Sequence, residues 1–373
     1  MLDKFKINKK LLKELDFGLI FVVLIIAVFG SLNIYSATKT WAGISVFKSQ
    51  IVWICLGLVV TYFILLIDYS VIQGYVKIFY WFSVILLFLN DTIFKSTVNG
   101  AGSWMKIGSV TIGQPSELAK LAIVLMIAKE LDDMEGEINN VKNFLKLTMY
   151  AIIPMVLIVI QPDMGMTMVC FFIVLGMFFA AGLDLKVIGG GILGIILLIA
   201  AVWNSPLMHD YWKVRLISLI NPGADELGAN LQLTQSQIGI GSGGIVGKGF
   251  TKGTQVAGGF IPEVHTDFIF SVVGEEWGFI GAIFLLALYG ILLYKFINIA
   301  RTSKDIFGSM ICIGVASTFM FSILQNIGMT IGVMPITGIT LPFMSYGGSS
   351  LTTAFMSIAL VLNVGMRRKK INF

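Results

Sequence analysis

The densest set of titratable side chains in the sequence lies directly before an apolar run. Glu263, His265 and Asp267 alternate along the chain, Thr266 separates the last two, and Phe268 begins the run. A carboxylate at the edge of a low-dielectric cavity has a raised pKa and can accept a hydroxyl proton near neutral pH. Asp is also a preferred helix N-cap, which is the structural alternative for Asp267. The convergence of three titratable groups favours a site in which Asp267 is the general base.

A second polar segment, QPSELAK at 114–120, opens another apolar run. Its Glu117 and Lys120 are three residues apart and therefore share one face of a helix. Ionisable groups inside a span are costly, so each is a candidate for function. Two interpretations follow. The two residues form a self-neutralising pair that holds helices together, or Lys120 meets an anionic substrate group while Glu117 sets its position.

Asp163 ends the segment QPD at 161–163, which interrupts an otherwise apolar stretch. The proline removes a backbone donor and shapes a tight turn between two spans. Asp163 then either caps the helix that follows or contributes to a site.

Two segments are rich in glycine, and the first of them raises the question of phosphate binding. Gly239, Gly241 and Gly244 match a GxGxxG pattern but lack the strand, helix and acidic residue of a dinucleotide site. Lys248 is followed by glycine where a P-loop requires Ser or Thr. We interpret these glycines as allowing a loop to pack against helices. The second segment, 335–350, includes Ser345 and has too many prolines and glycines to form a helix. Irregular backbone at membrane depth must line a cavity or be buried.

The composition predicts that these segments are positioned by membrane-spanning helices. Of the 373 residues, 57% are apolar and 13% charged, against about 25% charged in soluble domains. The mean hydropathy is +0.89. We predict an all-α polytopic membrane protein with about ten transmembrane helices in one integral domain, residues 1–373. The predicted spans are 17–37, 48–68, 76–93, 114–131, 147–162, 164–182, 187–204, 267–297, 307–331 and 348–366.

Charge sets the expected topology. Five lysines precede the first apolar run and the sequence RRKK at 367–370 follows the last one, so the tails 1–16 and 367–373 are predicted to be cytoplasmic. Two long segments then lie outside, 94–113 and 205–266. The second joins predicted helices 7 and 8 and is expected to fold over a cavity. The basic clusters are topology signals, so no nucleic-acid partner is expected. The three cysteines lie in apolar runs and indicate neither disulfides nor a metal site.

Five segments in order resemble the SEDS family (shape, elongation, division and sporulation), and the similarity runs from the first span to the last. They are QPSELAK at 114–120, QPDMG at 161–165, GSGGIVGKG at 241–249, PEVHTDF at 262–268 and LPFMSYGGSS at 341–350. Within the family, NIGMTIG at 326–332 and PITG at 335–338 are most similar to the RodA-like elongation branch. The sporulation branch is the alternative within the family.

The resemblance implies a peptidoglycan glycosyltransferase that polymerises lipid II at the outer face of the bacterial cytoplasmic membrane during cell elongation. Asp267 matches the family's essential aspartate. Undecaprenyl pyrophosphate would leave, and a class B penicillin-binding protein and the elongation machinery would be partners. A divalent cation, Mg²⁺ or Mn²⁺, is the candidate cofactor. The expected substrate contacts and orienting residues are Trp104, Glu117, Lys120, Asp163, Arg215, Lys248, Glu263, His265, Thr266 and Ser345.

Two other functions remain as alternatives at this point. A lipid II flippase would use intramembrane charges and proline-interrupted helices, but transport predicts charge through the whole membrane depth with access to both faces. Here the unusual polar residues concentrate in the segments predicted to lie outside. A non-catalytic scaffold that recruits a wall synthase is the other alternative, and the intact acidic segment at 262–268 argues against it.

Overall fold

The computed structural model describes residues 9–98, 101–107, 110–203, 205, 212, 213, 215 and 229–368. The described residues form a helical bundle with one small sheet. Its helices are α1 Lys9–Lys13, α2 Phe17–Thr38, α3 Ser45–Leu66, α4 Tyr69–Leu89, α5 Pro115–Asp133, α6 Val141–Ile160, α7 Met164–Ala180, α8 Leu185–Val202, α9 Ala229–Gly243, α10 Thr254–Ala257, α11 Ile269–Arg301, α12 Ile306–Thr330 and α13 Gly348–Met366. Its strands are β1 Lys95–Val98, β2 Ala101–Ile107 and β3 Val110–Gly113.

A helix is present at each of the ten predicted spans, and the chain is a polytopic helical membrane protein. In the described part of the chain, seven helices are long and apolar enough to cross a membrane: α2, α3, α4, α6, α11, α12 and α13. Helices α7 and α8 are apolar but shorter. Helix α5 carries too many charges for an apolar span, and most of its residues are buried inside the bundle. It is a central helix that faces protein rather than lipid.

Half of the ten spans begin where an aspartate caps the first turn. The Asp16 carboxylate accepts from the Leu19 N–H (2.9 Å), Asp163 accepts from Met166 (2.9 Å) and Asp305 accepts from Gly308 (2.8 Å). Asp68 and Asp184 cap α4 and α8 in the same way. Each bond satisfies an N–H group that has no partner within its helix, and a polar cap at the membrane edge therefore fixes where a span starts.

The segment between α4 and α5 contains the sheet, which the sequence analysis did not predict. Strand β2 pairs antiparallel with β1 and β3, and Trp104 lies opposite Ser96. Glycine at position 113 leaves room for Ser349, because a β-carbon there would stand 2.7 Å from the serine Oγ. The sheet thereby reaches the start of α13.

Helix α11 is broken at Gly278, whose backbone has φ 63° and ψ −159°. Residues 243–249 fill the break. The N–H groups of Phe279 and Ile280 donate to the carbonyls of Gly244 and Ile245, and the N–H groups of Lys248 and Gly249 donate to those of Glu275 and Glu276. The loop thus satisfies backbone groups that the break releases, as a membrane interior requires. A β-carbon on Gly247 would lie 2.1 Å from the Glu276 carbonyl oxygen, so these glycines do let the loop pack against the helix.

Candidate active site

A cavity of about 940 Å³ opens at the end of the bundle where α5, α7 and α13 begin, which we call the cavity end. Its walls are the start of those helices, the segment 262–267 before α11, the middle of α12, and the irregular segment 336–350. Ten of the eleven candidate residues from the sequence line it: Trp104, Glu117, Lys120, Asp163, Arg215, Glu263, His265, Thr266, Asp267 and Ser345.

Asp267 lies two residues before α11 and is partly exposed to the cavity. Enclosure by protein raises the pKa of its carboxyl to about 7, because burial disfavours the charged form. The negative charges of Glu263 and Asp163 act in the same direction, and Arg215 opposes them. Phe268, rather than Asp267, is the N-cap of α11, and it forms no side-chain cap. The capping alternative for Asp267 is therefore wrong, and its carboxylate is available to a ligand in the cavity.

The residues before Asp267 form a tight turn. Glu263 adopts a positive φ of 52°, and its carboxylate accepts from the Thr266 hydroxyl at 3.1 Å. The His265 carbonyl accepts from the Tyr346 N–H at 2.9 Å. The imidazole ring of His265 lies between the rings of Trp41 and Tyr346. Burial lowers the pKa of His265, which favours the neutral imidazole at neutral pH.

Glu117 and Lys120 form an ion pair of 2.7 Å on the cavity wall. The Glu117 carboxylate also accepts from the Thr353 hydroxyl of α13. Both sequence interpretations are therefore compatible with the geometry. The pair joins α5 to α13, and Lys120 remains at the cavity surface with 14% of its side chain exposed.

Asp163 has a capping role and a place in the cavity at once. Its carboxylate accepts from the Met166 N–H at the start of α7 and from the Gln114 side-chain amide at 2.9 Å. Ser345 accepts from the Leu341 N–H at 2.8 Å, which closes a turn in the segment 336–350. These bonds fix the polar wall between α5, α7 and α13.

Lys248 does not line the cavity. Its ammonium group binds the Glu275 carboxylate and the Thr254 hydroxyl, each at 2.7 Å. Glu275 also accepts from the N–H groups of Gln255 and Val256. The carboxylate of Glu276 similarly accepts from Ser36 and Thr251. Lys248 therefore neutralises a buried carboxylate that anchors the loop 248–256 to α11.

Sequence reasoning missed several polar residues of this site. Thr318, Ser322 and Asn326 are spaced by four residues along one face of α12; the first two line the cavity and the third holds two of its walls. The spacing of small polar residues in an apolar helix was a usable signal. Thr337 and Gly338 also line the cavity; the irregular segment containing them was identified, but not their proximity to Asp267.

The sequence matches the FtsW–RodA–SpoVE model, described as cell cycle protein, over residues 14–370. The chain belongs to this family. The SEDS resemblance and its RodA-like character are therefore confirmed. The relatives similar to this chain include peptidoglycan glycosyltransferase MrdB of Escherichia coli K12, which is 35% identical over 96% of this chain and 95% of the relative. Stage V sporulation protein E of Bacillus subtilis is 34% identical over 94% and 96%.

Solved structures agree with the family assignment. One chain comes from work on the structural coordination of polymerization and crosslinking by a peptidoglycan synthase complex; it has a TM-score of 0.81 and 32% identity over 95% of this chain and 98% of that one. Rod shape determining protein RodA of Thermus thermophilus has a TM-score of 0.72 and 29% identity over 95% and 98%. The bundle of this SEDS protein therefore has the fold of those proteins.

Proposed function

We propose that this SEDS protein is a peptidoglycan glycosyltransferase that polymerises lipid II, with Asp267 as the general base. The observation that carries the proposal is a carboxylate with a pKa of about 7 in a cavity that also contains Lys120 and Arg215. A base of that pKa is substantially ionised at neutral pH and still accepts protons readily. The glycosyltransferase names of the relatives support the same reaction class.

In the proposed reaction, the Asp267 carboxylate removes the proton from the sugar 4-hydroxyl of one lipid II molecule. A lone pair of that hydroxyl oxygen attacks the anomeric carbon of the second molecule, and the bond from that carbon to the phosphate oxygen breaks. Undecaprenyl pyrophosphate leaves with the bonding electrons, and the anomeric centre inverts. Glu263, His265 and Thr266 hold the turn that presents the carboxylate.

The departing pyrophosphate needs stabilisation of its growing negative charge. Lys120 and Arg215 supply positive charge at the cavity wall. The start of α13 also lines the cavity at Gly348, Ser349 and Ser350. No side chain caps this helix, so the positive end of its dipole would favour a pyrophosphate bound there. Trp104 and Ser345 complete the proposed substrate contacts. Lys248 has no place in this proposal.

A divalent cation, Mg²⁺ or Mn²⁺, would neutralise pyrophosphate charge during the reaction. Among the described residues, however, no three His, Cys, Asp or Glu side chains are grouped to hold a metal ion. The donor set therefore does not fit a dedicated protein-only site, and no residue is assigned as its ligand.

The proposed cellular setting follows from charge and similarity. The lysine-rich N-terminal tail supports a cytoplasmic N-terminus, which would place the cavity end outside a bacterial cytoplasmic membrane. The similarity to a chain of a peptidoglycan synthase complex supports a class B penicillin-binding protein as partner. We assign this protein and its proposed partner to the elongation machinery, since the sequence is most like the RodA branch.

Polymerisation of purified lipid II tests the proposal. The wild type and Asp267→Asn are assayed with and without the partner synthase and divalent cation, and Asp133→Asn is the control because Asp133 pairs with Lys129 at the other end of the bundle. Glycan from the wild type and control but not from folded Asp267→Asn supports the transferase. No glycan from any protein under all conditions overturns it, and transport of lipid II by reconstituted vesicles is then measured.

A further inference from the structure

Asn326, near the end of α12, joins two walls of the cavity. Its side chain is fully buried, and its amide group donates to the carbonyl of Asp267 at 2.8 Å and to the carbonyl of Ile339 at 2.7 Å. Both donor hydrogens of the amide are therefore used on backbone groups. One belongs to the residue that carries the base, and the other belongs to the facing loop.

The facing loop, residues 335–347, is held at further points along its length. The neighbouring Gln325 donates to the Pro335 carbonyl at 2.7 Å, and the Tyr346 N–H donates to the His265 carbonyl at 2.9 Å. Between these anchors, Gly338 adopts a φ of +75° directly beside the catalytic side chain. A β-carbon on Gly338 would stand 3.3 Å from Oδ2 of Asp267. The loop therefore covers one side of the carboxylate with bare backbone.

We propose that Asn326 is a positioning residue for the general base, which fixes the Asp267 backbone and the Gly338 loop relative to each other so that the carboxylate faces the cavity. The inference rests on the proposed transferase function. Asn326 touches no reacting atom in this account. It acts through Asp267, by setting the direction of the carboxylate and the extent to which the loop covers it.

The physical consequence of losing Asn326 has two parts. Two backbone carbonyls lose a donor, and an unsatisfied buried polar group lowers stability. That cost is structural and would follow at any similar site. The second part is specific to catalysis, since misplacing a reacting group by about 1 Å lowers the rate about 100-fold. A loosened loop also admits water to the carboxylate, which reduces the effect of burial on its pKa.

The charges around Asp267 stay constant when Asn326 is replaced by a neutral residue. They come from Glu263 and His265 on its own segment, Asp163 at the start of α7, Glu117 and Lys120 on α5, and Arg215. A shift in the pH profile of such a variant therefore reports the position and solvation of the carboxylate.

The chain provides a matched control in Asn363, at the opposite end of the bundle. Asn363 is also fully buried, and its amide donates to two backbone carbonyls, those of Ile64 and Ile67, each at 2.7 Å. The same substitution at the two positions removes two amide-to-carbonyl hydrogen bonds, and at Asn363 it also removes the bond that Arg367 donates to the amide oxygen. Only Asn326 contacts the residue that carries the base.

The experiment compares Asn326→Leu and Asn363→Leu with the wild type in lipid II polymerisation across pH 5 to 9. We expect kcat of Asn326→Leu to fall about 10- to 100-fold with little change in KM. Its acid-side inflection should move to lower pH, because the carboxylate gains water. Asn363→Leu should lose at least as much thermal stability, because Arg367 also loses a hydrogen bond there. It should keep both the wild-type inflection and a kcat within about threefold.

Gly338→Ala provides a second variant that leaves the amide intact. Its methyl group would press on the carboxylate and exclude water, so kcat should fall and the inflection should move to higher pH. Equal kcat values and equal pH profiles for Asn326→Leu and Asn363→Leu would overturn the inference while leaving the transferase in place. A wild type that makes no glycan would instead overturn the proposed function itself. If Asn326→Leu does not fold, Asn326→Ser is compared with Asn363→Ser in the same assay.

Discussion

The two ends of the bundle treat their charged groups differently. At the end opposite the cavity, Arg367 binds Asp68 at 3.1 Å, and buried Glu130 lies between Lys77 and Lys146. Asp305 accepts from the Tyr69 hydroxyl at 2.7 Å. At the cavity end, by contrast, none of the described residues forms an ion pair with Asp267. We infer that the pairs at the opposite end are structural. Asp267, unlike the Glu117–Lys120 pair on the same cavity wall, has no ion-pair partner among the described residues and marks the chemistry.

One aspartate at each end shows the difference in its pKa: that of Asp68 is lowered and that of Asp267 is raised. Burial opposes the charged form of Asp68, but hydrogen bonds from Ser70 and the charges of Arg367 and Lys304 outweigh it and lower its pKa. Burial of Asp267 is reinforced by the charges of Glu263 and Asp163, and the charge of Arg215 does not outweigh it, so the pKa rises to about 7. A paired carboxylate is held ionised, whereas the carboxylate of the proposed base can exchange a proton near neutral pH.

Among substitutions that leave Asp267 in place, the largest expected effect comes from removing a cation at the cavity. Lys120→Met should lower the polymerisation rate about 100-fold, because the leaving pyrophosphate loses a positive charge and Glu117 loses its ion-pair partner. The control is Lys295→Met, whose lysine pairs with Asp16 at 2.9 Å away from the cavity. Equal activities of the two variants would show that Lys120 has only the structural role of the ion pair.

At the opposite end, Arg367→Leu should affect stability and not chemistry. The guanidinium also bonds Asn363 and the Leu65 carbonyl. Breaking a buried pair costs about 3–5 kcal/mol, but the Asp68 side chain is 41% exposed, so we expect about 2 kcal/mol. Thermal unfolding in detergent measures the loss. A changed pH profile of the folded variant would contradict the separation between the ends.

Two neutralising substitutions should shift the pH profile in opposite directions. Glu263→Gln removes a negative charge that raises the pKa of Asp267, so the acid-side inflection should move to lower pH. Arg215→Gln removes a positive charge that lowers it, so the inflection should move to higher pH. Both are read from kcat/KM against pH. Shifts in the same direction would mean that the titrating group is not Asp267.

The smallest effect is expected for Asp68→Asn. Because its folded pKa is lowered, the Asp68 carboxylate contributes stability above its unfolded pKa, and this is lost as pH falls through the folded pKa. The wild type should therefore lose stability relative to Asp68→Asn below about pH 4. Unfolding temperatures at pH 3 to 7 measure the difference. A constant difference over that range would exclude the ion pair as its source.

Local chemistry made the spans and much of the site predictable. The first span was predicted at 17–37 and its helix is Phe17–Thr38, because an apolar run of that length has no stable alternative in lipid. The segment holding Glu263 and Asp267 was identified because titratable groups at a membrane edge are costly. Neither conclusion required knowledge of the tertiary contacts.

Contacts distant in sequence were not predictable in the same way. Lys248 was grouped with the anion contacts, but its partner Glu275 lies 27 residues further on and turns it away from the cavity. The break at Gly278 depends on a loop more than 30 residues earlier that satisfies its backbone groups. Asn326 was a family signature in the sequence, and only folding brings it to Asp267.

The pH dependence of lipid II polymerisation, measured on the wild type and Asp267→Glu with Asp267→Asn as the null, tests the central claim most directly. Below the pKa the carboxyl is protonated and cannot accept a proton, so the wild-type rate should rise about tenfold per pH unit and level off near pH 7. Asp267→Glu should keep a weaker, shifted limb, and Asp267→Asn should make no glycan. A wild-type inflection near pH 4, or a limb that survives in Asp267→Asn, would contradict Asp267 as the base.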